Sequence, residues 1–528
     1  MSAVSGEKQM AKAIGKKTEK RSVRDGLKKA GRALVSLRRR FNDSLTGKYS
    51  PRTAALLTAA AVGVIAAVLL LTPQSVGVAD DGSLSDIMKR AGLKYRKMDL
   101  AYPTGAYFVR RYLYAAPEGG RVSILLLLIR WAEAIDSFFT GDNLFDIHFL
   151  AALYLVFYLP AVWLATTELI RRVRYPSEAL VIALLGILLF GDGAILCYFN
   201  SLYPESCWII LLLYIFGLCL AMQSGDRVTR EAALIGLGAA GVLTAFVEPH
   251  CVVITIGVVI FVVRQILIRG TEFQTRVIAA AEAFVLALSV FMGARLGFSR
   301  FTVESKFNAM TTGVLFESTN PADALAEFGI DGRFEVLTDT SVYQDYPVTR
   351  TNNRELKKDF LNQYTVADIG FYYLRHPLQM FSLLSLGVRS SFQMNRTYVG
   401  NFERSAGLPE RARNVLFTVF STFSGTTAPR TIGSLVILAV LYTFQFRRTR
   451  KRREKQQTER SRIAALDTFF LAFELAVGHT LYIVLRSGSS EIERYGTVCG
   501  FCIWIMSAML AAEILHQAGL VNTEDRKG

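Results

Sequence analysis

The 528-residue sequence contains few of the residues that build metal centres and disulfide frameworks, since it has only six cysteines and five histidines. All the cysteines lie in or at the edge of apolar segments, where they are typical of small buried side chains rather than of cross-links or zinc ligands. The sequence also lacks a glycine-rich phosphate-binding loop. This absence argues against a sugar nucleotide on the cytoplasmic side as substrate.

Apolar residues, in contrast, are abundant and make up 52% of the chain. They gather into repeated runs of roughly 17 to 23 residues, a length that crosses a bilayer as a helix. The sequence therefore predicts an all-α polytopic membrane protein with about ten transmembrane helices. The predicted spans cover residues 53–72, 147–170, 179–199, 207–222, 232–247, 251–267, 277–297, 431–446, 463–485 and 498–515.

The formal net charge is +16, and most of the excess lies in an N-terminal tail and in the run 447–453. This distribution indicates cytoplasmic flanks that touch anionic lipid, and it argues against a nucleic-acid partner. We therefore expect a multi-pass protein of the cell membrane with both termini in the cytoplasm. The predicted parts are a basic tail (1–52), a transmembrane core (53–297) with a first outer loop (73–146), an extracytoplasmic region (298–428), C-terminal transmembrane helices (429–515) and a cytoplasmic end (516–528).

Several apolar stretches of the outer loops are too short or too interrupted to be clear membrane spans. Residues 122–135 predict a helix that lies in the outer interface. Residues 366–386 have helical spacing but are interrupted by the sequence Arg375-His376-Pro377, which favours two interfacial helices over a spanning pair. For residues 413–424 the same choice stays open.

The predicted spans carry their unusual polar residues almost entirely at their outer ends. An ionisable group at the rim of an apolar helix is costly, so each is a candidate functional residue. Taken singly, each could instead serve helix pairing, an interfacial aromatic belt or a solvated loop. Their concentration in four separate loops on one leaflet predicts a polar cavity open to the outer interface. The residues are Asp80, Asp81, Asp192, Asn200, Tyr203, Glu205, Glu248, His250, Arg486, Glu491, Glu493 and Arg494.

Transfer of a sugar from a polyprenyl-phosphate donor to a hydroxyl group is one chemistry that fits such a cavity. It needs a carboxylate to take the acceptor proton and cations to hold the departing phosphate. A single displacement inverts the anomeric centre and needs only one base, whereas a double displacement needs a nucleophile and an acid. An aspartate near the interface with arginines opposite would supply these groups.

The pattern resembles the GT-C superfamily of polytopic glycosyltransferases, and more narrowly the bacterial glycan-biosynthesis hexose transferases of the S-layer (WsfD) type. The resemblance extends over residues 53–515. It is carried by Gly77–Gly82, Asp192 with Tyr198–Glu205, Lys306–Met310 through Ser318–Pro321, and Asn395–Gly407.

This resemblance implies that Asp80 is the general base and that Asp81 is its close rival, because relatives often carry an amide after the first aspartate. Independently of the resemblance, guanidinium groups suit phosphate, so we expect Arg494, with Arg396 as a second candidate, to hold it. Glu248 precedes Pro249 and His250 where relatives tend to have a basic residue, so this turn differs from the family pattern. The predicted substrate-binding set is Asp192, Asn200, Tyr203, Glu205, Glu248, His250, Asn395, Arg396, Glu491 and Arg494.

We therefore expect an enzyme that moves a hexose from a polyprenyl-phosphate-linked donor to an extracytoplasmic cell-surface glycan. No cofactor is obligatory for this reaction, although the paired acids could accommodate a divalent metal. The expected partners are the lipid-linked donor, the glycan acceptor and the lipid bilayer. Alternatives are a transporter or flippase, which would carry functional charges near mid-bilayer, a polymerase of lipid-linked glycans, and a non-catalytic scaffold.

Overall fold

The computed structural model describes residues 36–45, 50–101, 105–119, 123–173, 175–222, 226–268, 271–297, 303–342, 353–427, 431–453 and 459–524. Most of the predicted basic tail lies outside these residues. A helix over 36–45 comes first. The later helices are α1 Pro51–Leu70, α2 Leu84–Ala91, α3 Ile124–Thr140, α4 Ile147–Ile170, α5 Pro176–Phe190, α6 Gly193–Leu196, α7 Glu205–Ala221, α8 Arg227–Ala245, α9 Val252–Leu267, α10 Phe273–Gly297, α11 Val303–Asn308, α12 Leu315–Glu317, α13 Pro321–Glu327, α14 Arg354–Asp359, α15 Val366–Arg375, α16 Pro377–Phe392, α17 Val419–Thr427, α18 Ile432–Arg453, α19 Glu459–Ser487 and α20 Ile492–Glu524.

Seven of the described helices are long and apolar enough to cross a membrane, namely α1, α4, α8, α9 with the turn before it, α10, α19 and α20. The other three predicted spans are not among these seven. Helix α5 and the helical residues 193–200 form a pair bent by 43°, α7 has 17 residues, and α18 ends in an arginine-rich run. The prediction of an all-α polytopic membrane protein is confirmed.

The helices pack into one bundle with a continuous apolar core. Helix α1 packs against α4 and α5, α4 packs against α7, and α9 lies between α10 and α19. All six cysteines are buried and unpaired, including Cys499 and Cys502, which have C-x-x-C spacing. The prediction that they are core residues is therefore confirmed.

The two long loops join the same end of the bundle, where α1 ends and α4 begins, and this end is called the loop end below. The first loop contains β2 (Leu93–Lys94), β3 (Arg111–Tyr114) and β4 (Leu144–Asp146), which form a small antiparallel sheet. Helix α3 in this loop runs to Thr140, five residues beyond the predicted stretch 122–135. Its exposed apolar side chains include Trp131, Phe138 and Phe139, as expected for an interfacial helix.

The large loop region, residues 303–427 of the described chain, forms a second apolar core against the ends of α19 and α20. Phe307, Tyr364 and Tyr372 pack in this core with Ile483 and Ile492. The stretch 366–386 consists of two helices, α15 and α16, that are separated at His376, as the sequence predicted. Within 413–424, the residues from 419 onward belong to the short helix α17.

A two-stranded sheet connects the first loop with the large loop region. Strand β1 (Val76–Val78) pairs antiparallel with β5 (Val399–Phe402). At Gly77 a Cβ atom would lie 2.5 Å from the Asn200 carbonyl oxygen and 2.5 Å from the Phe108 ring. Only glycine therefore allows β1 to approach both neighbours. Strands of two to four residues lie below the length that alternation can reveal, which is why the sequence did not predict these sheets.

The substitution Gly77→Ala is expected to destabilise the protein by about 1–3 kcal/mol, because the new methyl group overpacks a site bounded on one side by backbone. Thermal unfolding of the purified protein in detergent measures the change. Gly370→Ala is the matched control, since no atom lies within 4 Å of its Cβ position. Equal stability of the two variants would contradict the assignment of Gly77 as a close-approach position.

Candidate active site at the loop end of the bundle

Asp80 follows β1 and is held by a set of donors that fix both of its carboxylate oxygens. The backbone N–H groups of Gly82 and Leu84 donate to Oδ1 at 2.8 and 3.3 Å, and the Tyr95 hydroxyl donates to Oδ2 at 2.7 Å. Burial and the neighbouring Tyr112 and Asp80 raise the pKa of Tyr95, so its hydroxyl keeps its proton. Asp80 is therefore oriented before any ligand arrives.

A pocket of about 530 Å³ opens next to Asp80. The first loop forms one wall, and residues 403–405 of the large loop region form the other. We call it the loop pocket, and its polar and aromatic lining residues include Asp80, Tyr95, Arg96, Asp99, Tyr107, Glu403 and Arg404. Its size lies within the range typical of small-ligand sites.

Asp81 has different partners from Asp80. Its Oδ1 accepts hydrogen bonds from the Ser83 hydroxyl and from the Tyr203 hydroxyl at 2.6 and 2.7 Å, and its backbone N–H donates to Tyr203 Oη at 2.9 Å. The adjacent carboxylates thus belong to two different surroundings. Within the described ranges, no group of three or more His, Cys, Asp or Glu side chains is arranged to hold a metal ion.

Arg494, at the start of α20, lies between two aromatic rings. Its Cζ is 5.5 Å from the centroid of the Tyr203 ring and 5.2 Å from that of Tyr495, within cation–π range. Its Nε is 3.8 Å from Oε1 of Glu205, which is buried at the start of α7. Arg494 therefore reaches Asp81 through Tyr203, whereas the sequence analysis had paired it with Asp80 around a single pocket.

Arg494 belongs to a group of buried and half-buried polar side chains, which we call the polar cluster and which also contains Tyr198, Glu205, Arg396 and Tyr398. Arg396 donates from Nη1 to the Tyr398 hydroxyl at 3.0 Å, and Tyr198 interacts electrostatically with Tyr398, Arg396 and Glu205. Burial raises the pKa of Tyr398 to about 12, so this hydroxyl also stays neutral.

Four buried atoms of the polar cluster have no hydrogen-bond partner among the described residues. They are Tyr198 Oη, Glu205 Oε2, Arg396 Nη2 and Arg494 Nε. Buried polar atoms are paired in the great majority of cases, so each exception needs an explanation. Because these four belong to one neighbourhood and include both donors and an acceptor, the cluster can hydrogen-bond ordered water or a polar ligand.

A hydrogen-bonded chain leads from the polar cluster into the bundle. The Tyr495 hydroxyl donates to Glu248 Oε2 at 3.4 Å, and His250 Nε2 lies 3.2 Å from the same oxygen. His250 Nδ1 lies 2.9 Å from His479 Nε2. With Nε2–H of His250 donating to Glu248, Nδ1 of His250 accepts a hydrogen bond from Nε2–H of His479, which fixes both tautomers.

His479 was not among the predicted site residues. It is a single histidine within the apolar helix α19, and an ionisable residue inside a membrane span was the signal that could have found it. Burial opposes ionisation of Glu248, but the hydrogen bond from His250 and the charge of Arg494 prevail and lower the pKa of Glu248 to about 2.

Two other predicted site residues, Asp192 and Asn200, contact the protein backbone. Asp192 accepts from the N–H groups of Ala194 and Ser421, at 2.9 and 2.8 Å, and so ties α6 to α17. Asn200 donates from Nδ2 to the carbonyls of Leu70 and Val76. These contacts hold the turn that carries Tyr203.

The remaining two predicted residues lie at the border of the site. Asn395 is half-buried and donates to the Thr422 hydroxyl at 3.2 Å. Glu491 is half-buried and interacts electrostatically with Arg486, which also approaches Tyr482 and Tyr495. Arg486 therefore adds positive charge beside the hydrogen-bonded chain.

Fold and site together define a polytopic α-helical membrane protein with a buried polar site at one end of its helix bundle. The chain belongs to the family of the YfdI N-terminal transmembrane domain, whose model matches residues 39–528. It is thus a membrane protein of a YfdI-like, glycosyltransferase-related family. No curated protein matches the chain.

The substitution Glu248→Gln is expected to lower stability at neutral pH, because a carboxylate with a depressed pKa stabilises the fold only while it is ionised. That contribution is present above the ordinary glutamate pKa near 4.5 and is lost as the pH falls towards about 2. The stability difference between wild type and variant should therefore shrink below about pH 4.5. Thermal unfolding at several pH values tests this, with the exposed Glu335→Gln as control. A difference that is constant with pH would contradict it.

Proposed function

We propose that the protein is a membrane glycosyltransferase that moves a hexose from a polyprenyl-phosphate-linked donor to an extracytoplasmic cell-surface glycan. One observation carries the proposal: two adjacent aspartates face a loop pocket on one side and an arginine-containing polar cluster on the other. Such an arrangement supplies a base and a cationic phosphate site to a reaction centre between them. Membership of a YfdI-like, glycosyltransferase-related family supports it.

Asp80 is the general base of the proposed reaction. Its carboxylate accepts three hydrogen bonds from the protein, and an ionised carboxylate offers about four lone-pair sites, so one more hydroxyl can donate to it. The hydroxyl oxygen of an acceptor in the loop pocket attacks the anomeric carbon of the donor while its proton passes to Asp80. The bond between that carbon and the phosphate oxygen breaks, and the bonding electrons leave with the lipid phosphate.

Arg494 and Arg396 hold the lipid phosphate. Each has a buried guanidinium nitrogen without a partner among the described residues, so a phosphate oxygen would satisfy both. Their charges stabilise the departing phosphate most strongly when its negative charge is complete. Glu205 Oε2 repels a phosphate and is suited instead to a hydroxyl group of the donor sugar.

The loop end faces the non-cytoplasmic side in this proposal. Basic residues concentrate at the opposite end of the bundle, at Arg171 and Arg172 after α4, at Arg227 and Arg230 at the start of α8, and at the end of α18. An excess of arginine and lysine marks cytoplasmic loops. Both termini are then cytoplasmic, and the active site faces a glycan outside the membrane.

Asp80→Asn is expected to lower turnover by about 10²–10⁴-fold, because the amide cannot take the acceptor proton. Transfer of radiolabelled hexose from a polyprenyl-phosphate donor to cell-surface glycan, with purified full-length protein, measures the effect. Asp86→Asn is the matched control, because Asp86 lies in the same loop, is exposed, and pairs only with Arg90 in the described chain. Full turnover by Asp80→Asn would contradict the role of Asp80, and loss confined to Asp81→Asn would assign the base to its neighbour.

Arg494→Gln is expected to lower kcat by about 10²–10³-fold, because the leaving phosphate loses a charged donor. The same transfer assay, run over a range of donor concentrations, separates kcat from KM. Arg333→Gln serves as control, since Arg333 pairs with Glu355 and Asp359 on the surface of the large loop region. An unchanged kcat in Arg494→Gln would exclude Arg494 from the phosphate site.

A further inference from the structure

We propose that the loop pocket is the acceptor subsite and that it takes an uncharged saccharide unit. This inference rests on the proposed function, because it assigns the pocket to the second substrate of that reaction. The pocket contains the Asp80 carboxylate in its wall, so a sugar held there places a hydroxyl within reach of the base.

The charge of the pocket argues for an uncharged ligand. Three carboxylates, from Asp80, Asp99 and Glu403, face two guanidinium groups, from Arg96 and Arg404. Arg96 is held by Asp99 through two parallel hydrogen bonds of 2.8 and 3.1 Å, so those charges are already matched. The remaining balance is negative, which disfavours a phosphate or another anion. The lipid-linked donor is therefore better placed at the polar cluster.

The lining of the pocket suits a polyol. Tyr95, Tyr107 and Phe108 supply aromatic surface against which the apolar face of a sugar ring can pack. Carboxylates accept hydrogen bonds from hydroxyl groups, and guanidinium groups donate to them, so both sets of charged side chains can pair with one sugar. This mixed polar and aromatic surface suits an apolar lipid tail less well than the bundle core does.

The pocket is held in shape by hydrogen bonds between its two walls. Phe108 N–H donates to the Phe402 carbonyl at 3.2 Å, and Arg411 N–H donates to the Ala106 carbonyl at 2.9 Å. These contacts join the first loop to the segment around β5. A pre-formed pocket loses little conformational entropy on binding, which favours recognition of a small ligand.

Saturation-transfer NMR on the full-length protein in detergent tests the inference without any turnover. The probes are the methyl glycosides of glucose, galactose, mannose, rhamnose and N-acetylglucosamine, with glucose 1-phosphate as the anionic comparator. At least one methyl glycoside is expected to bind wild type saturably and to bind Tyr107→Ala and Glu403→Gln at least tenfold more weakly. Arg333→Gln should bind like wild type, and glucose 1-phosphate should not compete for the site.

Several results would overturn the inference. These are a lack of binding by every methyl glycoside, binding that is unchanged in both pocket variants, or equal binding of glucose 1-phosphate at the same residues. Thermal unfolding of each variant shows whether it is folded. If Tyr107→Ala does not fold, the isosteric Glu403→Gln still tests the inference. Saccharide binding that depends on these residues, together with no hexose transfer by wild type, would support the pocket and overturn the proposed function.

Discussion

The pairing of β1 with β5 is the contact on which the whole site depends. Residues before β5, such as Arg396 and Tyr398, enter the polar cluster, and Glu403 directly after it lines the loop pocket. On the other strand, Ala79 N–H donates to the Tyr398 carbonyl at 2.9 Å, and this bond places Asp80 and Asp81 between the two surroundings. A single strand pair therefore positions both halves of the proposed active site.

Hydrogen bonding in the polar cluster is incomplete among the described residues. Arg494 is stabilised by two aromatic rings and by Glu205 at 3.8 Å, a distance too long for a hydrogen bond. A buried charge is costly unless its hydrogen bonds are made, and interactions in such a setting are stronger than in water. Binding of a phosphate and a sugar would satisfy the unpaired atoms of the polar cluster. The polar cluster thus has a physical reason to bind water or a polar ligand, and the proposed lipid phosphate is one such ligand.

The sequence was sufficient to predict most of the long apolar helices, and it predicted that polar residues from several loops gather at one end of the bundle. Tyr203, Glu205, Glu248, His250 and Arg494 were predicted because ionisable and hydrogen-bonding groups at the rims of apolar spans are rare. Their convergence follows from the alternating direction of successive membrane helices. The hydrophobic periodicity of the sequence, however, does not predict which neighbouring side chain a carboxylate contacts.

Three features could not be predicted, each for a physical reason. The strands β1 to β5 are too short to show alternation, so the loop pocket that they frame was not foreseen. Asp80 and Asp81 were expected to share one cavity with Arg494, but a local backbone turn directs them to different partners. Asp192 and Asn200 contact backbone groups, and a polar side chain in sequence looks the same whether it binds a ligand or the main chain.

In the proposed reaction the acceptor lies in the loop pocket and the lipid phosphate lies at the polar cluster, on opposite sides of the reaction centre. That separation requires a single in-line displacement at the anomeric carbon. The most direct measurement is the anomeric configuration of the product, determined by NMR and compared with that of a polyprenyl-phosphate hexose of known configuration. The account predicts inversion, and retention would contradict it.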